Sequence, residues 1–289
     1  MTMTEQFNDW FIRYNLLYKK RYTKHQKQRF LQSFVSDLLS IRKDVEIRKD
    51  KQDKNSFHIV VGDLKKAKHV IATYYDTPAI YQGDYYVFSV EKQKKQTTNT
   101  LMGLSLIMLI LGILFTYFIG IPVFEKGGIS YQTILLVLFY FVFFYIFGQV
   151  TRGWPEKNNL IRNTSSLLYM LNFIKENSDP TLAFVFYDHG CQGDTSTKKV
   201  RKKLNLNSQR LTILDSVGAE GELVRVVRND DKKTKIPTII AKEWDANFEY
   251  LTVMTHSTKV WKELVLKKQT LKEKELNYEN YQNLDDFFN

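Results

Sequence analysis

Two uncharged apolar runs, separated by only four residues, constrain this chain more than any other feature. Leu101 to Phe124 is 24 residues of Leu, Ile, Gly, Met and aromatic side chains, and residues 129–151 form a second run rich in Phe, Leu and Tyr. At about 1.5 Å per residue, either run spans a hydrocarbon core of about 30 Å as a helix. Core helices of soluble proteins seldom stay free of charge for so long. The pair therefore reads as a transmembrane hairpin, a unit over 99–152 with helices at about 101–124 and 129–151. Lys92, Lys94 and Lys95 precede it, Arg152 and Lys157 follow it, and its turn carries one Glu and one Lys. The positive-inside rule then puts both termini in the cytoplasm of a two-span membrane protein. Gly103, Gly112 and Gly120 supply notches for packing against the second helix or another protein.

Outside the hairpin, roughly 240 residues remain, enough for one large domain or two small ones. The net charge of +11 suits an anionic partner, or simply a Lys-rich solvated surface. A single cysteine, Cys191, rules out a disulfide framework and fits a reducing compartment. The polar first eight residues are not expected to act as a secretory signal.

Residues 5–40 carry apolar side chains at helical spacing: Trp10, Phe11, Tyr14 and Leu17, then Phe30, Leu31, Phe34 and Leu38. Between them the only charges are basic, among them Lys19, Lys20, Arg21 and Lys24, a face suited to anionic lipid or to solvent. Period-two patterns predict strands at 44–48, 56–61 and 69–74, with a polar turn at 63–68. After the hairpin, residues 163–175 read as a helix, and the apolar run 181–187 as a strand buried on both faces. Further strands are expected at 210–215, 222–227, 238–241 and 251–254, with a closing helix at 278–288. The alternation indicates an α/β domain with a mainly parallel mixed sheet, assembled from residues 1–98 and 153–289 and interrupted by the hairpin.

The order of short motifs resembles that of the co-catalytic di-zinc aminopeptidases, metallopeptidase family twenty-eight, whose relatives include transferrin receptor, nicastrin and nicalin. The resemblance covers residues 40–90 and 155–285 and implies a three-layer aminopeptidase-like fold. The family's strand-terminal His-x-Asp corresponds to Tyr74-Tyr75-Asp76, followed by Thr77-Pro78. Its metal-bridging Asp corresponds to Arg162, in Arg162-Asn163-Thr164-Ser165-Ser166. Its Glu-Glu pair, catalytic base and ligand, corresponds to Gly190 and Cys191. Its Asp-x-x-Gly is intact as Asp215-Ser216-Val217-Gly218. Its final His corresponds to Gln269, with His256 a less well-spaced alternative.

The chemistry argues against retained catalysis. Two zinc ions require carboxylates and neutral imidazoles. Tyr74 would have to ionise from about 10. A cation at the bridging position turns an attraction of roughly 4 kcal/mol per charge pair into a repulsion, and Gly190 cannot accept a proton. An ion pair of Arg162 with Asp215 or Asp76 is the expected filling of such a site. A Cys191–His189 nucleophile pair is disfavoured because near neighbours in a turn point apart. A basic run, Lys198, Lys199, Arg201, Lys202 and Lys203, suits phosphate groups, but no nucleic-acid fold accompanies it, and no nucleic-acid partner is expected. With no cofactor expected, the resemblance implies a catalytically inactive, membrane-anchored protein serving a membrane-protein partner as scaffold, assembly factor or regulatory subunit. The alternatives are a membrane-tethered peptidase with an altered zinc site and a module for anionic lipid headgroups.

Overall fold

The computed structural model describes residues 4–50, 56–128, 130–191, 201–202, 206, 209–230 and 232–289. The N-terminal helical region is two helices, not one. Helix α1 (Glu5–Ile12) runs into a wide turn, Arg13–Leu17, and stops. Helix α2 (Lys24–Ile41) starts afresh behind a capping box, in which the Thr23 hydroxyl accepts from Gln26 N–H and the Gln26 side chain returns to the Thr23 backbone. The intervening residues carry Arg21, whose side chain turns inward.

An eight-stranded sheet forms the core. Its strands are β1 (Val45–Lys49), β2 (Phe57–Val61), β3 (His69–Tyr74), β5 (Leu182–Tyr187), β6 (Arg210–Leu214), β7 (Glu222–Val227), β8 (Thr238–Ile240) and β9 (Phe248–Met254). They are ordered β1-β2-β5-β3-β6-β9-β7-β8. The central four, β5, β3, β6 and β9, are parallel, and β2 and β7 are antiparallel to their inner neighbours. The near-continuous apolar character of β5 follows: all six of its residues are buried. Because β5 lies between β2 and β3, residues from both sides of the hairpin share one sheet. Two short pieces escaped the sequence patterns, β4 (Tyr85–Tyr86) and β10 (Val265–Leu266), which pair as a separate ribbon.

Side-chain parity shows what covers each face. On one face Phe186 meets Phe34 of α2, and Phe184 meets Phe173 of α6 (Ser165–Glu176). Phe288 of α7 (Tyr278–Phe288) packs on Phe173. On the other face Tyr250 meets Phe88, which also touches Trp244 and Trp261. The architecture is thus mixed α/β with a large, mostly parallel sheet.

The hairpin is α3 (Val90–Phe115), a wide turn at Thr116–Gly120, α4 (Ile121–Glu125) and α5 (Tyr131–Arg152). Pro122, which has no N–H to donate, directly follows the widened turn. Both helices are long and apolar enough to cross a membrane, and only 6% and 11% of their apolar windows are buried. They are therefore not core helices of the sheet domain; Leu106, Ile110, Phe118 and Phe141 point outward. Two of the three glycine notches face the second helix. A Cβ on Gly112 would stand 2.7 Å from Phe143, and one on Gly120 would stand 2.9 Å from the Tyr140 hydroxyl, whereas Gly103 faces open space. Thr116 and Tyr140 hydroxyls bond at 2.7 Å across the pair. Helix α3 begins eleven residues before the uncharged run, at Val90, so its first three turns are polar and belong to the sheet domain's side.

A buried ionic cluster crosses the sheet. Glu249 of β9 receives two bonds from Arg210, at 2.9 Å each, and one from Arg225 Nε, also at 2.9 Å. The Thr212 hydroxyl donates to the same carboxylate and sits 2.7 Å from His69 Nε2. Burial raises the Glu249 carboxyl, but Arg210 outweighs it, and the net direction is down. Burial, with Arg210 and Lys232 nearby and only partly opposed by Glu249, lowers His69 to about 4. The sign follows: the unfolded imidazole, near 6.5, takes up a proton that the folded one refuses, so stability falls as pH drops from about 6.5 toward 4. At pH 5 this one group is expected to remove about 2 kcal/mol. His69→Gln, which still donates to Thr212, is expected to flatten the urea-unfolding profile between pH 7 and 5; an unchanged slope would place the proton uptake elsewhere.

Candidate functional site

The parallel strands end side by side, and each end carries polar residues. Strand β3 runs into Tyr74, Tyr75 and Asp76, and β5 runs into Tyr187, Asp188, His189, Gly190 and Cys191. Strand β6 runs into Asp215 and Ser216. His189 and Ser216, each directly after an aspartate, have φ of 59° and 58°. These left-handed turns are uncommon for residues with a Cβ and concentrate where structure is held for a purpose. A wide turn, Leu160–Thr164, leads into α6 and brings Arg162 over the same strand ends. Tyr74, Asp76, Arg162, Gly190, Cys191 and Asp215 therefore come together.

Gln269 does not join them. Its segment, Thr270–Lys272, contacts residues 160–164, but the Gln269 side chain is exposed. His256 is also exposed, against the carbonyl of its own neighbour Thr255.

Asp215 is fully buried and saturated by hydroxyls. Oδ1 accepts from Tyr74 and Ser216, both at 2.9 Å, and Oδ2 accepts from Tyr85 and Tyr250, both at 2.7 Å. Asp76 is taken up on the opposite side. Its Oδ1 accepts from the N–H groups of Gly190 (2.7 Å) and Cys191 (3.3 Å), and its Oδ2 from the Cys191 thiol (2.6 Å). This saturation explains why the expected ion pair is not formed. Among the described residues Arg162 makes no salt bridge to Asp215 or Asp76. Its guanidinium lies over the Tyr85 ring, 4.1 Å from the centroid, and 5.4 Å from Tyr81, and Nη2 donates to the Cys191 carbonyl at 3.2 Å.

Gly190 and Tyr74 are fitted to each other. A Cβ at Gly190 would lie 2.1 Å from the Tyr74 Cβ, so no side chain fits there while Tyr74 stays.

Burial sets the protonation of two groups at the site. Burial, reinforced by Asp215, pushes the Tyr74 phenol well above its usual value, which removes it as an anionic ligand. Burial and then Asp76 push the Cys191 thiol up, so it is held as a protonated hydrogen-bond donor, not as a nucleophile. Asp76, Asp188 and His189 bring ligand atoms within 4.8 Å of one another. A cation is already supplied there by Lys27, whose ammonium is 2.6 Å from Asp188.

The basic residues divide. Arg21, expected on a basic face toward anionic lipid or solvent, is fully buried. Its guanidinium donates to the Tyr75 carbonyl (2.6 Å), Tyr18 carbonyl (2.7 Å), Asn163 Oδ1 (2.6 Å) and Thr164 Oγ1 (2.8 Å), tying the N-terminal segment to the site. A guanidinium with four directional acceptors is a structural clamp. Lys19 and Lys20 are half-buried and Lys24 exposed. They flank Tyr22, whose hydroxyl donates to the Arg152 carbonyl at the end of the hairpin. Arg201 is fixed to the carbonyls of Gln209 and Asn247, and Lys202 is exposed. Lys198, Lys199 and Lys203 lie outside the described residues. Tyr81, Tyr85 and Tyr250 carry no sequence motif, and Lys27, one of the basic residues between the two N-terminal apolar stretches, is drawn inward to Asp188. No family model matches the chain, and no curated protein or solved structure is significantly similar to it.

Proposed function

We propose that this chain is a membrane-anchored, catalytically inactive protein whose aminopeptidase-like domain serves a membrane-protein partner as scaffold, assembly factor or regulatory subunit. One observation carries the reading. At the strand ends, where open α/β sheets place their chemistry, Asp215 is saturated by three phenols and a serine, and Tyr74 fills the space beside Gly190. A site so filled is built to persist, not to bind metal and turn over. The hairpin holds the domain at the bilayer, with both termini cytoplasmic by the distribution of Lys and Arg. The open notch at Gly103 gives a partner helix a place to pack.

A photo-crosslinking residue at position 103 or 106 of the full chain, in its native membrane, is expected to give one discrete adduct with a membrane protein. Lipid adducts alone, together with copurification of no stoichiometric partner under several mild detergents, would remove the scaffold reading. The membrane-tethered peptidase remains the second reading, because the Asp215-Ser216-Val217-Gly218 motif is intact.

A further inference from the structure

A cavity of about 370 Å³ lies between the filled site and the cytoplasmic turns of α3. Its inner end is Arg162, Gly190 and Cys191. Tyr85 and Val87 form one wall, and the mouth is Val90, Lys94, Thr98 and Leu101. Leu101 is the first residue of the uncharged run, so in a bilayer the mouth opens at the headgroup level.

Arg162 is 2% exposed, yet its Nε and Nη1 have no hydrogen-bond partner, and neither does Nε2 of Gln93 on the cavity wall. A buried guanidinium that lines a cavity and has no carboxylate partner among the described residues is expensive unless something brings negative charge to it. The nearest carboxylates do not serve, because Asp215 and Asp76 are already saturated. An anion fits on charge as well: Arg162 stands at the inner end and Lys94 at the mouth. Between them the walls mix apolar Pro78, Ala79 and Val87 with polar Gln93 and Thr97. Charge inside and apolar surface toward the bilayer match an amphiphile entering head first.

From this geometry we infer that the cavity binds the phosphate headgroup of an anionic membrane lipid, with Arg162 as the cation at the phosphate and the acyl chains leaving past Leu101. A guanidinium is suited to a phosphate oxyanion. The inference rests on the hairpin lying in the membrane, which is part of the reading above, and not on the absence of catalysis. It differs from a surface basic patch because the ligand is single, enclosed and stoichiometric.

The test uses the full chain in phosphatidylcholine nanodiscs, titrated with dihexanoyl phosphatidic acid and followed by native mass spectrometry. One saturable lipid per chain is expected, weakened at least tenfold in Arg162→Gln. Thr98→Trp, an exposed substitution at the mouth that leaves the core untouched, is expected to weaken binding to a similar degree and guards against misfolding of the first variant. Arg152→Gln, a basic residue outside the cavity, is expected to bind as the wild type does. Equal affinity for dihexanoyl phosphatidylcholine would overturn the anion requirement. Competition by inorganic phosphate at the same concentration as the lipid would make it a free-oxyanion site and overturn the lipid assignment. Binding unchanged in both cavity variants would place the lipid elsewhere. A chain that does not enter nanodiscs at all would overturn the membrane anchoring itself, a separate failure.

Discussion

Glu249→Ala is expected to destabilise the domain by about 3–5 kcal/mol, the range for removing one partner from a buried ion cluster. Arg225 sets the size of the loss. Its side chain is 1% exposed, and among the described residues it pairs with Glu249 at 2.9 Å and with Asp230 at 3.2 Å, the latter 54% exposed. Without Glu249, the buried guanidinium loses its buried carboxylate, and Asp230 is screened by water. Arg210, 34% exposed, rehydrates and contributes less. Thr212 loses its acceptor, and with it the polarised bond to His69. Glu249→Gln retains one carbonyl oxygen for the arginines and is expected to lose less. Urea unfolding of the full chain in detergent, read from the fluorescence of buried Trp10 and Trp244, checks both. A loss below about 1 kcal/mol for Glu249→Ala would mean the cluster is no better than a solvated one.

The sheet was legible because its strands carry the information locally. Strand β5 shows an unbroken apolar run, β3 and β6 end in polar residues, and residues 163–175 hold a helical period. The break between α1 and α2 was not legible, because apolar spacing continues on both sides of it. Its cause is tertiary: Arg21 must reach the Tyr75 carbonyl and Asn163, and a continuous helix would carry it past them. The ends of α3 were missed for a different reason. Hydropathy marks where a helix becomes apolar, whereas the backbone is already helical from Val90, where polar side chains line a cavity.

At the site, six of seven expected residues came together, since strand ends and a helix start fix their positions. What they do there was not legible. Ligand counting places Arg162 against an aspartate. The aspartates are instead claimed by hydroxyls and amides from segments with no motif, Tyr85 on a two-residue ribbon and Tyr250 in mid-strand. A charge argument needs the list of competing donors, and that list exists only in three dimensions.

Those competing donors make Asp215 a structural hub, and Asp215→Ala is expected to cost about 3–5 kcal/mol. The buried phenols of Tyr85 and Tyr250 lose their acceptor together, at about 1–3 kcal/mol for each that stays unsatisfied, while Tyr74 and Ser216 fall back on the Arg162 carbonyl. Relief of the buried carboxylate's own desolvation offsets part of the sum. Asp215→Asn preserves the shape, and the phenols Tyr85 and Tyr250 can turn to accept from the new amide, so about half that loss is expected. The same variants separate structure from metal chemistry. After incubation with zinc and desalting, plasma mass spectrometry is expected to find near-zero zinc in wild type, Asp215→Ala and Asp215→Asn alike, while their unfolding midpoints differ widely. A metal site predicts the reverse order of sensitivity: one or two zinc ions per wild-type chain, lost in both variants, with stability that depends on added zinc. That outcome would mean the phenol cage opens to admit metal, and the chain would then have to be assayed as a peptidase. Stability that collapses with Asp215 at constant, near-zero zinc would identify the aspartate as the keystone of a closed site.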